Sequence, residues 1–263
     1  MVFHDGKLLT LSDRGPELFE IRFLTNFPAL GKVTNGSAQL MPTPFFPRAL
    51  AAATVRYTGS RFDCEGITTD PQGNLYISEE SKRDVFRSSP DGKKVDRLLI
   101  DLSSVKRFFS SDPNASFEGI AIGGGKLYLA NERETPRVIV VDLPTLKVLD
   151  SFFVDSDGFA FGGPHYSDLA FADGHLFILD RNHRCILEVD PEQKRVLAEY
   201  SFGQMEVAEE VAYKTIYPTG TMEGLAIDPQ YFWLVTDNNG LPRFKYPRDI
   251  RPTLFRCSRP AKR

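Results

Sequence analysis

The chain has 263 residues, a formal net charge of −3, 41% hydrophobic and 25% charged residues. This is ordinary globular composition with no basic footprint for nucleic acid and no apolar run near the roughly 18 residues of a membrane span. Cys64, Cys185 and Cys257 are an odd number at no metal-binding spacing, and they neither demand a disulfide framework nor exclude one bridge.

In chain order, five copies of one pattern appear: HDGKLLTLSDR (4–14), EGITTDPQGNLYISEE (65–80), EGIAIGGGKLYLANE (118–132), SDLAFADGHLFILDR (167–181) and EGLAIDPQYFWLVTDN (223–238). Each is a short first strand, a turn rich in Gly, Asp or Pro, and a β-branched or aromatic second strand, which reads as a hairpin. Third strands follow at 17–24, 84–89, 136–143 and 185–190, and fourth strands at 95–102, 146–154 and 195–202. Four short strands per repeat of roughly 50 residues predict an all-β fold, a β-propeller with five recognisable four-stranded blades and room for a sixth. The whole chain, 1–263, reads as one propeller domain.

Three stretches depart from the repeat. The first copy is expected to begin its opening strand just before Met1, so a ring-closing strand is expected upstream; the alternative is a ring closed differently by the termini. Residues 1–11 lack the features of a signal peptide, and location follows the same alternative: exported or periplasmic if a segment precedes Met1, cytoplasmic otherwise. Residues 25–62 read as a long loop across one face, or as a hidden element. Residues 204–213 read as a short helix or a loop, and the last copy shows no fourth strand.

In a propeller, first strands line the central channel, and polar residues recurring at their starts converge. One column holds Glu65, Glu118, Ser167 and Glu223, followed by Gly66, Gly119, Asp168 and Gly224. A second, at the end of the second strand, holds Asp13, Glu79, Asn131, Asp180 and Asp237, with neighbours Arg14, Glu80, Glu132, Arg181 and Asn238. Converging carboxylates repel one another unless a cation relieves them, and an all-oxygen set suits Ca²⁺ before Mg²⁺ or another divalent ion. The competing reading is that these side chains cap backbone N–H groups of turns. The glycines after the glutamates read as positions of close backbone approach.

With LLTLSDRGPELFEI, the repeated EGI/EGL, LYISEE, LYLANERE and FWLVTDNNG, the chain resembles the phytase-like family, also called esterase-like activity of phytase. More distantly it is similar to the SdiA-regulated, gluconolactonase, regucalcin and paraoxonase propellers. That wider resemblance implies a divalent ion at the channel mouth, with Glu65, Glu118, Asn131, Glu223 and Asp237 at the matching positions. Asp180 joins this metal set from the second column. Ser167, where a glutamate is expected, departs from the pattern.

A bound cation would polarise an ester, lactone or phosphate oxygen, with Glu79 or Glu132 as general base. His165, just before a first strand, is the best histidine for acid–base work. Arg14, Arg181 and Asn238 are expected to bind the substrate, a small molecule for which an anionic group is one alternative. No G-x-S-x-G elbow occurs. Two readings follow: a divalent-metal-dependent hydrolase of a small ester, lactone or phosphoester, and a non-catalytic propeller that binds a ligand or protein partner around a structural Ca²⁺. A monomer is expected.

Overall fold

The computed structural model describes residues 1–12, 17–24, 38–43, 63–112, 115–215 and 219–260. Its strands form five antiparallel sheets arranged as a five-bladed β-propeller. The first sheet is β1 (Val2–His4), β2 (Lys7–Leu11), β3 (Leu18–Phe23) and β4 (Ala38–Pro42). The second is β5 (Cys64–Thr69), β6 (Leu75–Glu79), β7 (Asp84–Ser88) and β8 (Val95–Leu98). The third is β9 (Phe117–Gly123), β10 (Lys126–Asn131), β11 (Arg137–Asp142) and β12 (Val148–Phe152). The fourth is β13 (Tyr166–Ala172), β14 (His175–Asp180), β15 (Cys185–Asp190) and β16 (Arg195–Ser201). The fifth has three strands, β17 (Met222–Ile227), β18 (Tyr231–Thr236) and β19 (Leu254–Ser258).

Local chemistry sets the hairpins. Asp5-Gly6, Gly124-Gly125 and Asp173-Gly174 all have positive φ, the backbone that a two-residue turn matched to strand twist requires. In the second and fifth blades an aspartate organises the turn instead: Asp70 accepts from the backbone of Gln72 and Asn74, and Asp228 from that of Gln230 and Tyr231.

The first strands pack side by side around the axis, and β17 returns to β1. Between neighbouring blades lies an apolar cluster, five in all. Ile120, Leu127 and Leu129 fill the seam of blades two and three, and Tyr166, Leu169 and Ile178 that of blades three and four. Truncating one such residue to alanine costs about 2–5 kcal/mol.

Within the connection expected as a loop or a hidden element, residues 38–42 form the fourth strand of blade one. Its burial pattern is almost wholly exposed, so no hydrophobic alternation marks it in the sequence. The described part of that blade's first strand is the three residues Val2–His4. Among the described residues the sheets number five, and no sixth appears. The rest of the 25–62 connection lies outside the described residues. The 204–213 stretch holds a one-turn helix, α1 (Gly203–Glu206). No described helix is long and apolar enough to cross a membrane.

Candidate active site

The mouth is built by an irregularity repeated in four blades. The ladder between first and second strand slips between Cys64 and Ile67, opposite Leu129–Asn131, between Tyr166 and Asp168, and between Met222 and Gly224. The slip falls at Glu65, Glu118, Ser167 and Glu223, the first column. A bulge bends the strand and re-aims the side chain it carries. The following glycine is required by close approach: a Cβ on Gly66 would lie 2.4 Å from the Glu118 carbonyl oxygen, and one on Gly119 2.6 Å from the Asp168 backbone. Blade four has Asp168 there instead. Its carboxylate crosses to blade five, accepting from Leu225 N–H at 2.7 Å and lying 2.9 Å from the Met1 amino group.

Blades two and three bring acids together. Carboxylate oxygens of Glu80, Glu118 and Glu132 lie within 4.8 Å of one another, as do those of Asp63, Glu65 and Glu80. Burial, then the charge of Glu132, pushes Glu80 up to about 8. Burial, then Glu65, Glu132 and Glu80, raises Glu118 well above the usual carboxylate range. Glu80 accepts one hydrogen bond from the Ser116 backbone N–H at 3.2 Å.

Glu132 behaves differently. Burial raises its carboxyl, but the hydrogen bond and charge of His165, with Arg181 and Arg133, outweigh that and hold it below its ordinary value. His165 is itself lowered, chiefly by burial. The pair is therefore a carboxylate beside a neutral imidazole, whose Nε2 contacts Glu132 Oε1. Arg133 reaches Glu132 Oε2 and, at 3.4 Å, Asp112. Arg181 bridges blades three and five, with one nitrogen 3.3 Å from Glu132 and the other on Glu223 Oε1.

The remaining expected residues bond to backbone or to neighbouring side chains. Glu79 accepts from the Ser81 hydroxyl and from Lys82 N–H at 2.9 Å. Asp180 accepts from the backbone N–H groups of His165 and His183 and meets the His183 ring at 2.7 Å; its carboxylate groups with Asp155 and His183, away from the glutamates. Asp237 accepts from Asn239 N–H at 2.7 Å. Asn131 donates to the carbonyls of Thr135 and Phe108. Asn238 donates to the carbonyls of Leu241 and Ile250. Ser167 donates to the Met222 carbonyl of the next blade at 2.9 Å. Asp13 and Arg14 lie outside the described residues.

The donor set fits a hard cation. It is all oxygen, its acids repel one another, and two buried polar atoms on residues bonded or bridged to its members lack a hydrogen-bond partner: Ser116 Oγ and Glu223 Oε2. Ser116 and Asp63 were not legible in the sequence, because each precedes its first strand at a position where the copies share no residue type. Glu80 was visible as a column neighbour and nothing more.

The sequence model of the phytase-like family, described as esterase-like activity of phytase, matches residues 1–240. The chain belongs to the phytase-like family. A comparison with curated protein sequences finds no match. Among solved structures, the phytase-like chain is similar to glutaminyl cyclase of Myxococcus xanthus, at 14% identity and a TM-score of 0.50, over 97% of this chain and 89% of that one. A protein of unknown function from Bacteroides caccae matches at 12% identity and a TM-score of 0.51, over 97% and 80%. For the Kuenenia stuttgartiensis hydrazine synthase the values are 15% and 0.44, over 73% of this chain, which spans about half (49%) of that one. At these identities the likeness is one of fold.

Proposed function

We propose that the mouth is the active site of a divalent-cation-dependent hydrolase acting on a small ester, lactone or phosphoester. One observation carries this reading: three buried glutamates, Glu80, Glu118 and Glu132, gather within 4.8 Å beside a neutral histidine. Glu80, Glu118 and Glu132 would hold the ion, with Glu65 and Asp63 adjoining. An irregular, carboxylate-rich oxygen set favours Ca²⁺ over Mg²⁺, which demands near-octahedral geometry. When bound, the cation supplies Lewis acidity to a carbonyl or phosphoryl oxygen.

The chain's own groups supply the proton chemistry. The Glu132–His165 pair takes a proton from the attacking water and returns it to the leaving oxygen. The water oxygen joins the acyl or phosphoryl centre as its bond to the leaving oxygen breaks. Arg181 holds Glu132 and Glu223 apart at fixed positions, which orients the base.

The test is turnover of p-nitrophenyl acetate and p-nitrophenyl phosphate with EDTA and with Ca²⁺ restored. Activity lost with EDTA, regained with Ca²⁺ and reduced at least about 100-fold by Glu118→Gln is expected. Activity indifferent to both overturns the reading. A second reading, a binding propeller with a structural cation, is favoured by one observation: Arg181, Arg133 and His165 all already pair with Glu132. In that case Ca²⁺ raises Tm and no ester is turned over.

A further inference from the structure

Outside the glutamate cluster, a cleft of about 290 Å³ opens between the two outer strands of blade two, with Arg83, Asp84, Arg97, Leu98, Leu99 and Ile100 in its wall. Its origin is the end of a ladder. Strands β7 and β8 pair from Ser88–Val95 to Val85–Leu98 and no further. Asp84 stays in the sheet opposite Glu79 of β6, while the chain turns away after Leu98 and bridges to blade three at Asp101–Lys147. Asp84 and Leu99, the next pair in that register, line an opening instead of closing it.

Two polar atoms of this wall are buried with no hydrogen-bond partner among the described residues. Asp84 is only 5% exposed; Arg97 donates to its Oδ1 through Nε at 2.8 Å and lies within 2.7 Å of it through Nη2, and Oδ2 is left unanswered. Burial raises the Asp84 carboxyl against the pull of Arg97. Arg83 donates through Nη2 to the Ser110 carbonyl at 3.0 Å and lies over the Phe109 ring, which fixes its guanidinium; its Nε–H is left unanswered. A buried donor and a buried acceptor are each costly to leave unpaired, and here they sit on adjacent residues of one cleft.

The two atoms ask for opposite things. A carboxylate would satisfy Arg83 and be repelled by Asp84, and an ammonium would do the reverse. A peptide group meets both, with its carbonyl on Nε–H and its own N–H on Oδ2. One water could also bridge them, but its share of liquid volume, about 30 Å³, is roughly a tenth of the cleft. The remaining wall is aliphatic: Leu99 is 74% exposed, with Leu98 and Ile100 on either side. An apolar wall with a few placed polar groups is the make-up of a ligand site.

We propose that this cleft binds a peptide, one backbone amide paired with Arg83 Nε and Asp84 Oδ2 and an aliphatic side chain laid on Leu99. It stands apart from the hydrolase reading, since none of these side chains belongs to the glutamate cluster.

A heteronuclear NMR titration of the full chain with N-acetyl-leucine N-methylamide, run beside free leucine, tests it. Expected is a saturable shift of the Arg83 Nε–H resonance, with a Kd on the order of 1 mM for so small a ligand. Backbone amide shifts report the affinity of variants. Arg83→Lys keeps the charge and removes Nε; it and Asp84→Asn should each weaken binding at least about tenfold. Leu99→Ser should weaken it several-fold, and Leu149→Ser, at an exposed position on the outer strand of blade three, should leave it unchanged. No saturation by about 50 mM, tighter binding of free leucine, or an affinity indifferent to Arg83→Lys and Asp84→Asn overturns the proposal and leaves the cleft to water.

Discussion

The two sides of the channel mouth share one strand register and carry opposite electrostatics. Blades two and three place Glu65, Glu80, Glu118 and Glu132 there; at the corresponding positions blades four and five have Ser167, Arg181, Glu223 and Asn238. On the first side, burial and like charge raise Glu80 to about 8 and Glu118 well above the carboxylate range. On the second, Arg181 neutralises Glu223, Ser167 bonds to backbone, and Asn238 staples its loop. The same scaffold position can thus store repulsion or relieve it. Cation affinity is expected where repulsion is stored, because only there does a cation gain by arriving.

The sharpest way to break the comparison is to remove the surface on which both sides rest. Gly119→Ala forces a Cβ to within 2.6 Å of the Asp168 backbone, at the seam where acidic and neutralised sides meet. A loss of about 3 kcal/mol or more in urea denaturation is expected. Retained stability would show that the seam yields.

Arg181→Gln converts the neutralised side into a second acidic one. It leaves Glu223 and Glu132 without their shared partner, and a stability loss of about 2 kcal/mol is expected in cation-free solution. Added Ca²⁺ should recover part of that loss. An unchanged Tm would mean that the bridge contributes little.

The acidic side predicts a pH trend. In the unfolded chain Glu80 has an ordinary carboxylate pKa, and in the fold about 8. Between the two, the folded state holds a proton that the unfolded state has lost. The stability so gained is full below the ordinary carboxylate pKa and fades as pH rises towards 8. Cation-free Tm should therefore fall from about pH 5 to pH 8, and the rise in Tm on adding Ca²⁺ should be larger at pH 8, where fewer protons must be displaced. Glu80→Gln/Glu118→Gln should flatten the first trend and abolish the second. Thermal melts at the two pH values decide it.

The smallest effect sharpens the contrast between adjacent residues. Glu79→Ala removes a turn cap and should cost about 1 kcal/mol while leaving the calcium response intact. A lost calcium response would return Glu79 to the cation site.

Glu79 and Glu80 also show why the site was only half legible. Both are acidic, and both recur as polar residues across the copies. One closes the strand ladder opposite Cys64 and turns to the Lys82 N–H, while the next steps out of the ladder to the mouth. A step of one residue reverses the side-chain direction, so a column assigned one position early selects the caps instead of the cluster. Glu79 is such a cap. The first column suffered no such slip, because the glycine that follows each glutamate marks the bulge independently. Glu132 and His165 were each singled out, but 33 residues separate them in sequence and nothing in either motif announces their contact.

The sequence by itself determined the repeat, the hairpins and the propeller, since strand alternation recurs in five copies and the turn between first and second strand is local, Asp-Gly or Gly-Gly in three copies and organised by an aspartate in two. It also determined the glycine positions, where packing leaves no room for a Cβ. Only the tertiary structure decided which carboxylates converge, that Arg181 bridges Glu132 and Glu223, and that Ser116 and Asp63 join the mouth. The Glu80–Glu118–Glu132 group, the Arg181 bridge and the Ser116 contact link different blades, and their geometry follows from ring closure, which no single copy of the repeat encodes.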